Sequence, residues 1–160
     1  MTPMSAIQTS PLTQALRSSH LLFGTVATVH LIGVGVLFGS VFLMDLRLLG
    51  FSRDISVKKL TSHIAPWSLV SFVLIVPTGL LMFLARAPGL VGSNLFLLKM
   101  TLVMLGGVNA AIYYTGVFGK ASEWDTGQMP PPAARIAAGL SLLIWTSVLT
   151  CGSLLAATVT

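Results

Sequence analysis

The stretch LLFGTVATVHLIGVGVLFGSVFLM, residues 21–44, contains no Asp, Glu, Lys or Arg and decides the fold class. A helix needs about 20 consecutive apolar residues to cross a bilayer core, and this stretch is long enough. Three further runs meet the same criterion, so the sequence predicts spanning helices at about 21–44, 64–84, 95–118 and 134–157. We expect an all-α integral membrane four-helix bundle that forms a single domain over residues 1–160.

The composition of the chain excludes the soluble classes of protein. Its 160 residues are 54% hydrophobic and only 8% charged, whereas soluble domains carry about a quarter charged residues. The net charge of +5 comes from basic residues scattered between the apolar runs, a pattern that excludes a nucleic-acid-binding surface. Any chemistry must therefore lie inside the bundle. The single cysteine, Cys151, excludes covalent c-type haem, which needs a CxxCH motif.

The uneven distribution of Lys and Arg predicts the orientation. Positively charged loops remain on the cytoplasmic side of a membrane. We therefore expect a multi-pass protein of the bacterial inner (cytoplasmic) membrane, surrounded by the lipid bilayer, with both termini in the periplasm. Six basic residues accompany the first and third connections, namely Arg47, Arg53, Lys58, Lys59, Lys120 and Arg135, against Arg17 and Arg86 on the other side.

Polar side chains at membrane depth are costly and mark candidate sites. His30 lies nine residues into the first predicted span, roughly 13 Å below its outer edge at 1.5 Å per residue. Lys99 lies roughly 6 Å deep in the third span by the same rise, although a lysine there commonly extends to the interface. Thr78 adds a hydroxyl in the outer half, and Trp145 lies mid-helix as a core residue or a pocket wall.

The other two histidines lie too far from His30 to share a metal with it. Two axial nitrogens on one metal are about 4 Å apart, twice a metal–nitrogen bond of about 2.0 Å. His63 differs from His30 in depth by roughly 20 Å, and His20 lies roughly 15 Å away along the same helix. The remaining partners for His30 are Lys99, Met100, Met104, Cys151 or His30 of a second chain. The alternative is a structural histidine, hydrogen-bonded to a Ser, a Thr or a carbonyl.

Three smaller patterns concern packing. Gly35 and Gly39 form a GxxxG pair that allows close approach to a neighbouring helix or to another subunit of a homo-oligomer. The Pro77–Gly79 segment predicts a loosened second helix at the level of His30. Asp45 and Arg47 predict an interfacial charge pair at the inner end of the first span.

Three segments resemble known membrane proteins: HLIGVGVLFGSVFLMDLRLLG from His30, WSLVSFVLIVPTGLLMF from Trp67 and LFLLKMTLVMLGGVNA from Leu95. They resemble small bacterial four-helix membrane proteins of unassigned function, the membrane domain of the copper-resistance D family and, more distantly, the haem-containing J-type protoporphyrinogen oxidase. A histidine in the first helix and a lysine opening the third are characteristic there, and they match His30 and Lys99. The resemblance implies a b-type haem or metal site, with His30 as ligand and Lys99 as second ligand or propionate partner.

Three functions compete at this point. The first is a b-type haem protein for electron transfer or membrane oxidoreduction, which would exchange electrons with a quinone or a redox partner protein. In it, His30 is the metal ligand, and Lys99, Thr78 and Trp145 complete the cofactor-binding set. The second is a copper-handling or small-solute permease that uses His30 and nearby methionines as transient ligands. The third is a non-catalytic accessory subunit of a larger membrane complex.

Overall fold

The computed structural model describes residues 10–158, and within them every regular element is helical and no strand occurs. The predicted all-α class is confirmed for this part of the chain, whereas residues 1–9 and 159–160 of the predicted domain lie outside the described residues. The α-helices are α1 (Pro11–Ser18), α2 (His20–Leu49), α3 (Val57–Leu90), α4 (Asn94–Ile112) and α5 (Pro132–Thr158). α4 continues through a π-helical turn, Tyr113–Val117, into a 3-10 helix, Phe118–Glu123.

Four helical segments are long and apolar enough to cross a membrane: His20–Leu49, Val57–Ala87, Asn94–Glu123 and Pro132–Thr158. Each contains one of the predicted spans and extends beyond it. Hydropathy detects only the apolar part of a helix, while the helix itself continues through polar residues until a cap ends it. The largest difference is at the start of α3, which begins at Val57 instead of residue 64.

Serine side chains begin the first four helices. Each accepts a hydrogen bond from the backbone amide three residues ahead, an amide that would otherwise lack a partner within the helix. Ser19 has extended dihedrals (φ −108°, ψ 103°), so α1 is a separate helix and does not extend α2. At the other end of α2, Gly50 adopts φ 103°, a left-handed conformation that favours glycine. The four capping residues are Ser10, Ser19, Ser56 and Ser93.

The helices pack as an up-and-down bundle in which α2 lies between α3 and α5. α2 packs most extensively against α3, and α5 packs against both α4 and α2. The end that carries α1, the short 91–93 turn and the end of α5 is called the terminal end here. The opposite, distal end carries the 50–56 and 124–131 loops. The buried apolar cluster lies at the distal end and comprises Met44, Leu48, Val57, Tyr113, Ala121, Trp124, Ala134 and Ala138.

Arg47 joins the two distal loops to each other. Its side chain is only 2% exposed, and its guanidinium donates to the carbonyls of Ile55 at 2.6 Å, Arg53 at 3.2 Å and Asp125 at 2.8 Å. Asp45 instead lies beside Ser141 on α5. The predicted charge pair between Asp45 and Arg47 is therefore wrong, because backbone carbonyls bind Nε and Nη2 of the guanidinium, while Nη1 is buried without a hydrogen-bond partner among the described residues.

The Asp125 carboxylate completes this junction at the start of α3. It accepts hydrogen bonds from the Ser56 hydroxyl at 2.7 Å and from the Lys58 amide at 2.9 Å. The bond from the Lys58 amide holds the pKa of the Asp125 carboxyl below its usual range, with the Ser56 hydroxyl acting in the same direction. A negative group at a helix N-terminus is favourable because the helix dipole is positive there.

The helix distortion in α3 is not at the predicted place. The helix keeps its dihedrals through Pro77, and the non-helical residue inside it is Arg86, at φ −121° and ψ 16°. The Ala85 carbonyl beside this kink accepts a hydrogen bond from Arg17 of α1 at 2.8 Å. The Arg86 guanidinium in turn stacks over the Phe23 ring of α2 at 4.5 Å. The terminal end is thus held by two arginines around the kink.

Candidate functional site

His30 and Thr78 join α2 to α3 in the terminal half of the bundle. The Nδ1 atom of the His30 ring lies 3.0 Å from the Thr78 hydroxyl, within hydrogen-bonding distance. The ring is partly buried between the two helices and also lies next to the Ile75 carbonyl. The structure therefore brings together two of the predicted site residues.

The hydrogen bonds of Thr78 select one tautomer of His30. A threonine hydroxyl carries a single hydrogen, and the Thr78 hydroxyl donates it one turn back, to the carbonyls of Leu74 and Ile75. Its oxygen is then left to accept, so the His30 Nδ1 carries the proton and donates it. In a neutral imidazole, Nε2 is then the unprotonated nitrogen with a free lone pair. This is the arrangement in which histidines commonly bind metals.

Gly79 provides the space that the His30 ring occupies. A Cβ atom at this position would lie 3.0 Å from Cε1 and 3.5 Å from Nδ1 of the ring. The separation from Cε1 is tighter than ordinary van der Waals contact, so a larger residue would push the ring away from α3. The pair Thr78 and Gly79 thus fixes the imidazole by a hydrogen bond on one atom and by close packing on the others.

Lys99 extends across the bundle from α4 to α5. Its Nζ lies 3.5 Å from the place that a Cβ on Gly152 would occupy, beside the buried Cys151. Lys99 and Gly152 lie at comparable distances from the terminal ends of α4 and α5. The Lys99 side chain therefore runs across the bundle and does not extend toward the interface. The charge of Lys99 acts on the His30 ring. A cationic group therefore stands on the α4–α5 side of the imidazole.

Trp145 belongs to the α4–α5 contact. Its indole lies against Gly106, where a Cβ would come within 3.4 Å of Cε2 and Cζ2. Thirteen residues separate Trp145 from the end of α5, roughly 20 Å by helical rise, while His30 is ten residues from the start of α2, roughly 15 Å. Trp145 thus lies about one turn deeper than His30 and packs between helices.

The two candidate methionines, and the histidine already excluded by depth, lie away from His30. Met100 and Met104 are 43% and 68% exposed on the outside of α4. His63 binds the carbonyl of Lys59 at 2.9 Å near the distal end. It precedes Thr78 by fifteen residues on the same helix, roughly 22 Å by helical rise. Within residues 10–158, no group of three or more His, Cys, Asp or Glu side chains comes together to hold a metal ion.

The family model described as "Family of unknown function (DUF6644)" matches residues 10–157, nearly the whole chain. The chain belongs to this family. No curated protein and no solved structure matches it. The comparisons therefore show membership of the DUF6644 family and name none of the better-known families, so the resemblance to the copper-resistance D family and the protoporphyrinogen oxidase stays a prediction.

Two glycines and a polar group in this DUF6644 chain carry contacts that the sequence pattern does not indicate. Gly79 was read only as part of a helix break, although its place directly after Thr78 puts it on the His30 side of α3. Gly152 follows Cys151 and receives the Lys99 side chain. The side chain of Tyr113 is 5% exposed, and its hydroxyl has no hydrogen-bond partner among the described residues.

Proposed function

We propose that this protein is an integral membrane b-type haem-binding protein that transfers electrons between a quinone or another membrane donor and a periplasmic acceptor. The observation that carries the proposal is the hydrogen bond between His30 Nδ1 and Thr78, which leaves Nε2 free as an axial ligand. When bound, b-type haem supplies a one-electron centre whose potential depends on axial ligation and burial.

The small number of ligating side chains favours haem over a bare metal ion. A copper or zinc ion needs several protein ligands, whereas His30 is the one imidazole at its level among the described residues. A porphyrin brings four nitrogens of its own and needs the protein only for the axial positions. Met100 and Met104 are exposed on the outside of α4, which makes them poor thioether ligands for a copper ion beside His30.

The other residues of the site have roles that fit a haem. Thr78 and Gly79 hold the imidazole in one orientation. Lys99 presents a positive charge near His30 that can pair with a carboxylate such as a propionate. α3 and α4 do not pack closely along their described lengths and meet through the stacked rings of Phe83 and Phe96, 5.2 Å apart. This arrangement leaves more room for a flat group between α3 and α4 than tight helix packing would.

The proposed location is the bacterial inner membrane with the terminal end in the periplasm. It rests on the four apolar helices and on the bias of basic residues toward the distal end. A reporter that works only in the periplasm, fused to the C-terminus, should be active. A cytoplasmic signal from that fusion would move the His30 site to the other half of the membrane.

The visible spectrum of the protein purified in detergent tests the haem proposal. Produced with ample haem supply, the wild type should show a Soret band, and His30→Ala should lose it. Thr78→Val should lower haem affinity by about 10- to 100-fold, the usual effect of losing the hydrogen-bond partner of a ligand. Thr78→Ser should restore binding, because it keeps the hydroxyl.

The matched control is His63→Ala, which removes an exposed histidine near the distal end and should leave the spectrum intact. Lys99→Met separates two roles for the lysine: a shifted band would identify a ligand, whereas an unshifted band with weaker binding would identify a propionate partner. A wild type that contains no haem and gains none on reconstitution would overturn the proposal. Metal analysis of the same sample would then test the copper alternative.

A further inference from the structure

A second polar group lies at the distal end, away from His30. Asp45 of α2, Tyr113 of the π-helical turn and Ser141 of α5 are 5%, 5% and 6% exposed. Ser141 is the hydrogen-bonding neighbour of Asp45, and Asp45 is an electrostatic neighbour of Tyr113. Three helical segments therefore bring these side chains into one buried place.

This group contains unpaired polar atoms. Among the described residues, Asp45 Oδ2 and Tyr113 Oη are buried without a hydrogen-bond partner. An unpaired polar atom in the interior costs about 1–3 kcal/mol, so native structures rarely leave one without a reason. The π-helical turn that carries Tyr113 is itself unusual, since such turns are rare and are frequently found at functional sites.

Among residues 10–158, no cationic side chain forms an ion pair with the Asp45 carboxylate. Arg47, two residues along α2, directs its guanidinium to the backbone carbonyls of the distal loops. Burying an ionised carboxylate without a cation is expensive, and such a group takes up a proton instead. A proton would also turn the unpaired Oδ2 from an acceptor into a donor.

The chemistry of the group favours a proton over a metal cation. Ions such as Ca²⁺ and Mg²⁺ take six or more oxygen ligands, and this group offers one carboxylate and two hydroxyls. The positive charge of Arg47 also acts on Tyr113 and would repel a cation placed beside it. A proton needs only one acceptor atom. The carboxylate likewise excludes an anion as occupant.

We propose that Asp45 is a proton-binding site of this protein, with Ser141 and Tyr113 as its hydrogen-bonding neighbours. The step is the addition of one proton from the aqueous side of the distal end to the carboxylate, which gives a neutral acid and needs no electron donor. The charged and titratable groups acting on this place from the packed elements are Tyr113 and Tyr114 of the π-helical turn, with Arg47 on α2 itself. The site is independent of the haem proposal.

Infrared spectroscopy of the full chain in lipid vesicles tests the proposal directly. The wild type at neutral pH should show the carbonyl stretch of a protonated carboxylic acid. Only four acidic side chains are present in the chain. Asp54 and Glu123 are exposed, and hydrogen bonds favour the ionised form of Asp125. Absence of a pH-dependent band of this kind from the wild type would therefore overturn the proposal even if a variant at Asp45 fails to fold.

The variants then assign the band. Asp45→Asn should abolish it, the matched control Asp54→Asn should keep it, and Tyr113→Phe should shift it because a hydrogen-bonding neighbour is lost. Transfer to D₂O should also shift the band, since a binding site must exchange its proton with the solvent. Absence of the band at neutral pH, its survival in Asp45→Asn, or a band unchanged by D₂O would each overturn the proposal.

Discussion

The two ends of the bundle are held together by different chemistry. At the distal end, a buried arginine, a carboxylate and an apolar cluster join α2, α3, the loop before α5 and α5 itself. In the terminal half, the cross-helix contacts around the candidate site are a single side-chain hydrogen bond, a close glycine and one lysine reaching across. Nearer the terminal end, one arginine bonds a carbonyl and another stacks on a ring. The distal end thus has the greater density of buried, directional contacts.

This difference indicates which end can adapt to a ligand. Regions with few buried contacts open at lower free-energy cost than densely bonded ones, and binding sites are commonly drawn from them. We therefore expect the terminal half to accommodate a cofactor while the distal end keeps the helices in register. The following four changes test that contrast, beginning with the one of largest expected effect.

Removal of the Arg47 guanidinium should weaken the distal end most. Arg47→Met keeps the apolar part of the side chain but leaves three partly buried carbonyls without their charged donor. We expect a loss of about 3 kcal/mol or more in the free energy of unfolding, measured by denaturant titration in detergent. The control Arg135→Met, at an exposed position, should change it by no more than about 0.5 kcal/mol. Equal effects would show that Arg47 does not join the loops.

A methyl group at residue 79 should disturb the terminal half alone. Ala at this position places a Cβ 3.0 Å from the His30 ring, so the ring must move and its bond to Thr78 must lengthen. We expect Gly79→Ala to be about 1 kcal/mol less stable than Gly107→Ala, which meets nothing within 4 Å. The NMR signals of the His30 ring should shift only in Gly79→Ala. Identical behaviour of the two variants would contradict the close contact.

The contribution of Asp125 should depend on pH. Because its folded-state pKa is lowered, the stabilisation is fully present above its unfolded pKa, about 4, and is lost as the pH falls through the folded pKa. At neutral pH, Asp125→Ala should cost about 1 kcal/mol. The difference between wild type and variant should shrink below about pH 4, as measured by unfolding at a series of pH values. A difference that stays constant with pH would show that the carboxylate charge is irrelevant.

The GxxxG pair should have the smallest effect on the fold itself. Added side chains at Gly35 and Gly39 meet nothing within 4 Å among the described residues, so this pair does not pack against another helix in that part of the chain. Replacing both by Leu should leave the unfolding free energy within about 0.5 kcal/mol. If the face joins two subunits, the oligomer seen by light scattering should dissociate. An unchanged oligomer would exclude this face as the subunit contact.

The sequence predicted the helices better than it predicted their ends and contacts. An apolar run as long as residues 21–44 is a sufficient signal for a helix that could cross a membrane. In lipid, the backbone groups of such a run must form hydrogen bonds within their own segment, and a helix allows this. The signal ends where polar residues begin, so it could not show that α3 starts at Val57. The serine before each of the first four helices was the signal that could have corrected those starts.

The sequence predicted how deep the candidate site residues lie, but not which way their side chains point. His30, Thr78 and Lys99 were placed in one half of the bundle from residue counts alone, and the structure puts His30 in contact with Thr78. Residue counts give the depth of a side chain but not the side of the helix on which it lies. Met100 and Met104 therefore remain candidate partners of His30 in the sequence, although they face outward in the structure. The hydrogen bonds from Arg47 to backbone carbonyls could not be predicted for a different reason. Every residue has a backbone carbonyl, so no sequence pattern marks the ones that accept from an arginine.

The junction formed by Asp125 has a consequence for how the chain matures during synthesis. Its carbonyl is a partner of Arg47, and its carboxylate binds Ser56 and Lys58. All of these partners leave the ribosome about 70 residues before Asp125 does. The turn between α2 and α3 can therefore form its own bonds from Arg47 to Ile55 and Arg53 early. Its bonds to Asp125 form only after the third long helix has been made.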